Sequence, residues 1–386
     1  MENYSIYIHL PFCRSRCPYC DFFSTETGSI PFVAYREAIH REWDLRQHQM
    51  DSRSLLSIYV GGGTPSLWPV EELCALLAPF RPYEGAEVTI EVNPGDATDE
   101  WFGGMTDLGV NRFSIGVQAL DDTRLELLGR RHDRRRAEEA VRLAIGSRAR
   151  SVGADLIWGT PGQDKQGLAN EIRALAELGV SHVSAYELTV AEGTAWQRKV
   201  ASCAIHMPSN DAMAELWYVV GNTLASCGYA RYEVSNYAKP GHRSRHNLHY
   251  WRGGIYVGLG AGAHGFVVEQ EGDMIRYSNA AAVDSYLQSL GSPGDLSASR
   301  GVGKPATNES ISPETYARER VMLGLRTSEG VAFEDVLSTL DQAESARWRV
   351  SAKELEEQGL VRLEQGRLAP TARGMLQADA LAMQFF

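Results

Sequence analysis

The chain has 386 residues, 44% of them hydrophobic, and its 49 acidic against 38 basic side chains leave a net charge of −11. That length accommodates one large α/β domain with one or two smaller ones. The acidic balance argues against nucleic acid as a main partner, because phosphate binding needs a dense basic face, and no apolar stretch approaches the about 18 residues of a membrane span.

The first eight residues contain a charge and no long apolar run, so no secretory leader is read there and a cytoplasmic location is expected. From there, short β-type runs alternate with helix-length amphipathic segments. Strands are expected at 5–9, 57–60, 88–92, 112–117, 154–157 and 182–188, and helices at 31–46, 70–78, 98–108, 136–145 and 166–178. Such βα alternation predicts a parallel sheet covered by helices. Six units fall short of a full (β/α)8 barrel, so a partial (β/α)6 barrel is expected.

The residues at the end of each strand are more telling than the strands. The first strand leads into CRSRCPYC, which places Cys13, Cys17 and Cys20 on one short loop. Three thiols at that spacing admit an iron–sulfur cluster, a structural zinc with a distant fourth ligand, or inert buried thiols. A cluster held by three local thiolates would leave one iron open to a ligand other than cysteine. Disulfides fit poorly, since three cysteines cannot pair among themselves. Cys74, Cys203 and Cys227 stand alone and are expected to be small buried hydrophobes.

The second strand ends in Gly61-Gly62-Gly63-Thr64-Pro65, the third in Glu91-Val92-Asn93-Pro94 and the fourth in Gly116-Val117-Gln118. The fifth carries Asp155 and ends in Gly159-Thr160-Pro161-Gly162, and the sixth carries Tyr186 and Glu187. Ligands of α/β barrels bind at the C-terminal strand ends, so these residues gather on one rim with the cysteines. In the glycine run, backbone N–H groups could meet a carboxylate or phosphate, although a tight turn without ligand also explains it. The basic run Arg130 to Arg136 opens a helix-like segment and reads either as a solvated helix start or as an anion contact.

Further on, 229–266 gathers four of the ten histidines, His242, His246, His249 and His264, among Tyr237, Tyr250, Trp251 and Tyr256. Imidazole beside flat aromatics suits a metal or a planar macrocycle, and equally a packed connector with satisfied histidines. The stretch 291–312, rich in Gly, Ser and Pro, reads as a flexible linker. Helices at 313–325 and 344–358, a hairpin at 360–368 and a terminal helix at 372–384 come next, in a winged-helix-like, α+β order. With the acidic balance, a packing or docking module is expected there.

Taken together, YIHLPFCRSRCPYCDF, YVGGGTPSLW, IEVNPG, FSIGVQ and DLIWGTPGQ resemble, in order, the motifs of radical S-adenosylmethionine (SAM) proteins of the HemN-like group. That group includes oxygen-independent coproporphyrinogen III oxidase. RYEVSNYAKPG, RHNLHYWRGGIYVGLGAGAHGF and MLGLRTSEGV are similar to the HemW subgroup. The likeness runs from Tyr4 to the last helix. It implies a radical SAM barrel over 1–230, a connector with the HNLHYW run over 231–290, the linker, and a HemN-like helical domain over 313–386.

The resemblance implies a [4Fe–4S] cluster on Cys13, Cys17 and Cys20 whose fourth iron is chelated by SAM. It implies SAM contacts from Tyr7, Tyr19, Gly62, Gly63, Thr64, Glu91, Gln118, Arg130, Asp155 and His264. An electron delivered to the cluster would cleave SAM into methionine and a 5′-deoxyadenosyl radical, inside a rim that excludes water. In the oxidase a further cysteine comes after the triplet as C-x-C; here Cys20 is followed by Asp21 and Phe22, which argues against porphyrinogen decarboxylation. HemW proteins are regarded as haem chaperones, and the HNLHYW signature points to haem near His246, Asn247, His249, Tyr250 and Trp251. The implied partners are a haem-acceptor protein, respiratory by resemblance, and an electron donor such as flavodoxin, with room for peripheral membrane contact and a homodimer. The alternatives are the coproporphyrinogen dehydrogenase and a radical methyltransferase of similar architecture.

Overall fold

Successive residues along each parallel strand point to opposite faces, and here the two faces differ in character. One set of alternate positions is apolar and fully buried: Ile6, Ile8 and Leu10, then Ile58 and Val60, Val88 and Ile90, Phe113 and Ile115, Ala154 and Leu156. The other set is polar: Ser5, Tyr7 and His9, then Ser57 and Tyr59, Glu87, Thr89 and Glu91, Arg112 and Ser114, Asp155, and His182, Ser184 and Tyr186. A sheet with these two faces lays its apolar side under helices and encloses its polar side. Each aliphatic side chain so covered contributes about 1.5–3 kcal/mol.

The computed structural model describes residues 2–81, 84–269, 272–291 and 305–386. Among its longer elements, β1 (Asn3–Leu10), β2 (Ser54–Gly62), β3 (Glu87–Val92), β4 (Arg112–Gln118), β5 (Ser151–Trp158) and β6 (His182–Glu187) pair in sequence order, all parallel. The crossovers run through α1 (Phe32–Arg46), α2 (Val70–Leu77), α3 (Asp99–Leu108), α4 (Arg134–Gly146) and α5 (Lys165–Glu177), and α6 (Asn210–Ser226) packs on α5. Side-chain caps start most of these helices: Thr98 accepts from Trp101 N–H, Asp133 from Arg136, Asp164 from Gly167 and Ser209 from Ala212.

The expected partial barrel is present, and the region read as a connector extends it. After the short helix α7 (Arg245–Trp251), β7 (Ile255–Leu259) returns to the free edge of β1 and pairs with it in parallel, Ile6 opposite Val257. Its apolar Ile255, Val257 and Leu259 are fully buried. With polar neighbours and a glycine-rich end, this strand is hidden in the sequence by the motif around it. β8 (His264–Val268), β9 (Met274–Ser278) and β10 (Thr307–Ile311) continue the same sheet antiparallel. The last corrects the linker expectation: residues 307–311 form a strand paired to β9, while 292–304 lie outside the described residues.

The C-terminal part has its own core of Val321, Phe333, Trp348, Leu368 and Phe385. Helices α8 (Pro313–Gly324) and α9 (Gln342–Glu357) precede the hairpin Val361–Glu364 and Arg367–Pro370, which is joined by Val331–Ala332. That is the expected winged-helix order. The terminal helix is broken into Ala372–Met375, Ala378–Ala382 and a final 3-10 turn. Of the isolated cysteines, Cys74 and Cys203 are exposed rather than buried; only Cys227 packs against the core. No helix among the described residues is long and apolar enough to cross a membrane.

Candidate cluster and cofactor site

The cysteine loop leaves β1 and is pinned at both ends. Phe12–Cys13 pairs with Thr25–Glu26, Thr27 N–H donates to the Cys13 carbonyl at 3.0 Å, and Cys20 N–H to the Cys17 carbonyl at 3.1 Å. The glycine run after β2 docks onto its base: Gly63 N–H reaches the Leu10 carbonyl at 2.8 Å and Thr64 N–H the Phe12 carbonyl at 2.9 Å. A Cβ on Gly63 would lie 2.7 Å from the Phe12 backbone, and Gly62, at φ +112°, lies against the His9 ring. These two glycines are therefore steric requirements of the loop.

The three thiols line one side of a cavity of about 380 Å³ at the C-terminal ends of the strands. Burial pushes the Cys13 and Cys20 thiols up, and each senses the charge of the neighbouring cysteines. Thr64 donates its hydroxyl to Cys13 Sγ at 3.5 Å, a contact that favours the thiolate there, and Arg130 donates its guanidinium to Cys17 Sγ at 3.4 Å. Among the described residues no three His, Cys, Asp or Glu side chains converge as the ligands of one ion would. Three thiols on one side of a cavity can hold a multinuclear cluster, in which each thiolate takes a different iron. Three thiols beside open cavity space are a donor set that fits a [4Fe–4S] group.

Two carboxylates face the thiols. Glu91 accepts from Tyr59 OH at 2.8 Å and from Gly62 N–H at 3.1 Å; burial raises its pKa to about 7. Asp155 accepts from Ser114 Oγ at 3.0 Å; burial raises it to about 6 against the opposing pull of Ser184, Ser114, Arg112 and Arg130. Carboxyls held this high by desolvation are typical of functional sites. Gln118 closes the wall with φ 64°, left-handed backbone for a non-glycine residue, at a break in the β4–β5 register.

Of the expected cofactor residues, Tyr19, Gly62, Gly63, Thr64, Glu91, Gln118, Arg130 and Asp155 line this cavity with the three cysteines. Tyr7 is not on its wall: its hydroxyl bonds His9 Nδ1 at 2.8 Å, one layer below. His264 begins β8 and is exposed. The glycine run also differs from expectation. Its Gly62, Gly63 and Thr64 N–H groups are all taken by protein acceptors, and the Thr64 carbonyl accepts from Leu67 N–H, so any backbone contact from Gly62 or Gly63 would come from a carbonyl, suited to an N–H donor rather than an anion.

Sequence reasoning misses Tyr59 and Ser114 on the wall. The signal is available: Tyr59 shares strand parity with Ser57 and Gly61, and Ser114 with Gly116. Tyr186 reads in sequence only as a strand-end residue. It keeps 43% of its surface open and lines the cavity, beyond the point where the outer neighbour of its strand stops pairing.

The HNLHYW run lies at the other end of the barrel. Its helix, α7, starts on a single carboxylate: Glu87 accepts from the N–H groups of Arg245 at 3.1 Å and His246 at 3.0 Å and lies 3.7 Å from Arg112. His246 is 1% exposed, between the rings of Tyr59 and Tyr250, with Nδ1 2.8 Å from Ser57 Oγ. Burial lowers its pKa to about 3, so it is neutral. His249 donates Nε2–H to the Ile255 carbonyl at 2.8 Å. Asn247 donates its N–H to Ser244, and Trp251 ends the helix half-buried. The C-terminal part packs over this plug through Tyr316 OH on the Gly253 carbonyl and Glu329 between Arg243 and Arg252.

A thiol-bearing loop, a glycine run and buried carboxylates on the C-terminal rim of a partial barrel define the class, and the family models agree. Residues 7–183 match the radical SAM superfamily and residues 311–376 the HemN C-terminal domain. In fold, the chain is similar to coproporphyrinogen III oxidase (HemN) from Escherichia coli, with a TM-score of 0.82 at 21% identity over 100% of this chain and 90% of that one. In sequence it is 34% identical to the haem chaperone HemW of Mycobacterium tuberculosis over 98% of this chain and 94% of that protein. It is 36% identical to the haem chaperone HemW of Escherichia coli over 74% and 75%. The chain belongs to the HemW family of the radical SAM superfamily. A radical SAM domain implies a [4Fe–4S] cluster and SAM, which the cavity residues fit.

Proposed function

We propose that the protein is a haem chaperone: it binds haem beside a SAM-ligated [4Fe–4S] cluster and passes it to an acceptor protein. The observation that carries this reading is likeness over nearly the full chain to proteins named haem chaperone HemW. Cys13, Cys17 and Cys20 would hold three irons, and Thr64 and Arg130 would steady two of the thiolates. When bound and reduced, the cluster supplies one electron for cleavage of SAM. Glu91 and Asp155 set the charge that a cationic cofactor meets, and the closed lower end of the barrel keeps water from entering behind it.

The oxidase reading has the fold in its favour. Against it stands Phe22, in the place where the resemblance puts a cysteine in the oxidase, since a phenyl ring neither binds iron nor passes a hydrogen atom. The test is to load the cluster anaerobically, supply SAM and reductant, and offer haem and coproporphyrinogen III in separate assays. Stable haem binding without protoporphyrinogen formation is expected. Protoporphyrinogen formation would overturn the chaperone reading.

A further inference from the structure

We propose that haem sits at the mouth of the cluster cavity, its ring against Phe22 and Tyr186 and its propionates on Arg131 and Arg16. This rests on the haem-chaperone reading and names the site for it. The alternative ligand set, the HNLHYW run, offers no open imidazole. His246 is inside the barrel, His249 is bonded to a backbone carbonyl, and the C-terminal part covers the helix that carries both.

The mouth has the opposite construction. Phe22 is 67% exposed two residues past the last cysteine, on the wall of the same cavity as Tyr186. Two large aromatic side chains left open on one cavity suit a flat apolar ligand. Cations stand beside them. Arg131 makes no ion pair or hydrogen bond among the described residues, and Arg16 touches only the carbonyls of Cys20 and Phe22. Arg14, by contrast, is paired with Asp96. Asp21 and Glu187 line the same cavity, so the mouth carries both signs and these two arginines supply its cationic part.

That chemistry selects the occupant. It needs a flat apolar body for the two rings and carboxylates for the two forks, because arginine meets carboxylate through paired N–H donors. A porphyrin with two propionates carries both on one molecule. An acidic protein would use the arginines and leave Phe22 unexplained; an apolar ligand would leave Arg131 unexplained.

The test uses the cluster-loaded, SAM-saturated chain, with haem affinity measured by anaerobic calorimetry and iron counted per chain in every variant. Phe22→Ala and Arg131→Glu should each weaken haem by roughly tenfold with iron content unchanged. The dimethyl ester of haem, which lacks propionate charge, should bind the parent more weakly than haem does and should lose that disadvantage in Arg131→Glu. Phe386→Ala, which removes an exposed ring far along the chain, should change nothing. Haem bound to Phe22→Ala as tightly as to the parent, equal binding of haem and its ester, or an equal loss in Phe386→Ala would each overturn the site while leaving the chaperone reading in place. Haem binding that fails in the parent itself would overturn both.

Discussion

The two ends of the barrel are made from the same strands and do opposite work. At the lower end Ser5, Ser57, Glu87, Arg112, Ser151 and His182 are closed off by α7 and by Tyr232 and His242. Ser57 bonds Ser5 at 2.8 Å, Ser151 bonds His242 at 2.8 Å, and His182 bonds Tyr232 OH at 2.7 Å. Two or four residues further along the same strands, Tyr59, Glu91, Ser114, Asp155 and Tyr186 line open space. Polar groups buried without water must find partners or lose about 1–3 kcal/mol each. The lower end meets much of that demand with protein, although Arg112 Nη2 and His246 Nε2 find no hydrogen-bond partner there; the upper end leaves its carboxyls protonatable and its rings uncovered, for something that binds there.

The largest effect expected from breaking this contrast is at the upper end. Cys17→Ala removes a thiolate that no other side chain can supply, since the remaining cysteines lie outside the cavity. The purified chain should lose the brown colour and the broad absorption near about 400 nm that iron–sulfur charge transfer gives. Because the thiols sit on a loop rather than in the core, its thermal unfolding without metal should match that of the metal-free parent. A cluster retained in Cys17→Ala would sink the assignment of the triplet.

At the lower end the expected change is in stability, with the loaded cluster spectrum kept. Glu87 receives two helix N–H groups and the Ser244 hydroxyl, and it faces Arg112, itself buried. Glu87→Ala leaves that cation without its paired carboxylate and frees two of the first N–H groups of α7, while the His242 carbonyl and the Ser244 cap remain. Removing one partner of a buried pair costs about 3–5 kcal/mol, which denaturant unfolding of the parent and variant will show. A loss below about 1 kcal/mol would mean that water reaches Arg112 and that the plug is looser than its bonds imply.

The upper end is the more legible in sequence because its residues are unusual where strands finish: glycines, cysteines and a strand-end Glu91 break periodicity and so attract notice. The lower end uses serines, a histidine and a glutamate inside ordinary strands, and nothing local says that Glu87 caps a helix more than 150 residues away. The same holds for β7. Its pairing with β1 is long-range, and its sequence, IYVGL, reads as part of the histidine motif. His246 shows the limit most clearly. Spacing allows it to be presented to a ligand, and only the tertiary packing puts Tyr59, Tyr250 and Ser57 around it.

The smallest effect is one of pH, and it separates the two ends cleanly. Glu91 and Asp155 titrate near about 7 and about 6 because burial penalises their charged forms, with Tyr59, Tyr186 and each other adjacent and with Arg112 and Arg130 opposing the shift at Asp155. A folded pKa raised above the unfolded value favours the fold most at acid pH, and that contribution is lost as pH rises through 6 to 7. A cationic cofactor reverses the balance. SAM carries a sulfonium beside the amino and carboxylate groups that would meet the iron, so it binds best once these carboxyls are ionised, and binding releases protons. SAM affinity measured by equilibrium dialysis should therefore rise from about pH 6 to about pH 8, by up to tenfold for each carboxyl that ionises per unit crossed. Glu91→Gln keeps the shape and removes the titration, so its profile should be flatter and its affinity at the upper pH lower than the parent's. His246, held neutral with its pKa near about 3, should contribute no slope in that window; a profile that His246→Gln flattens and Glu91→Gln does not would place the titrating group at the wrong end of the barrel.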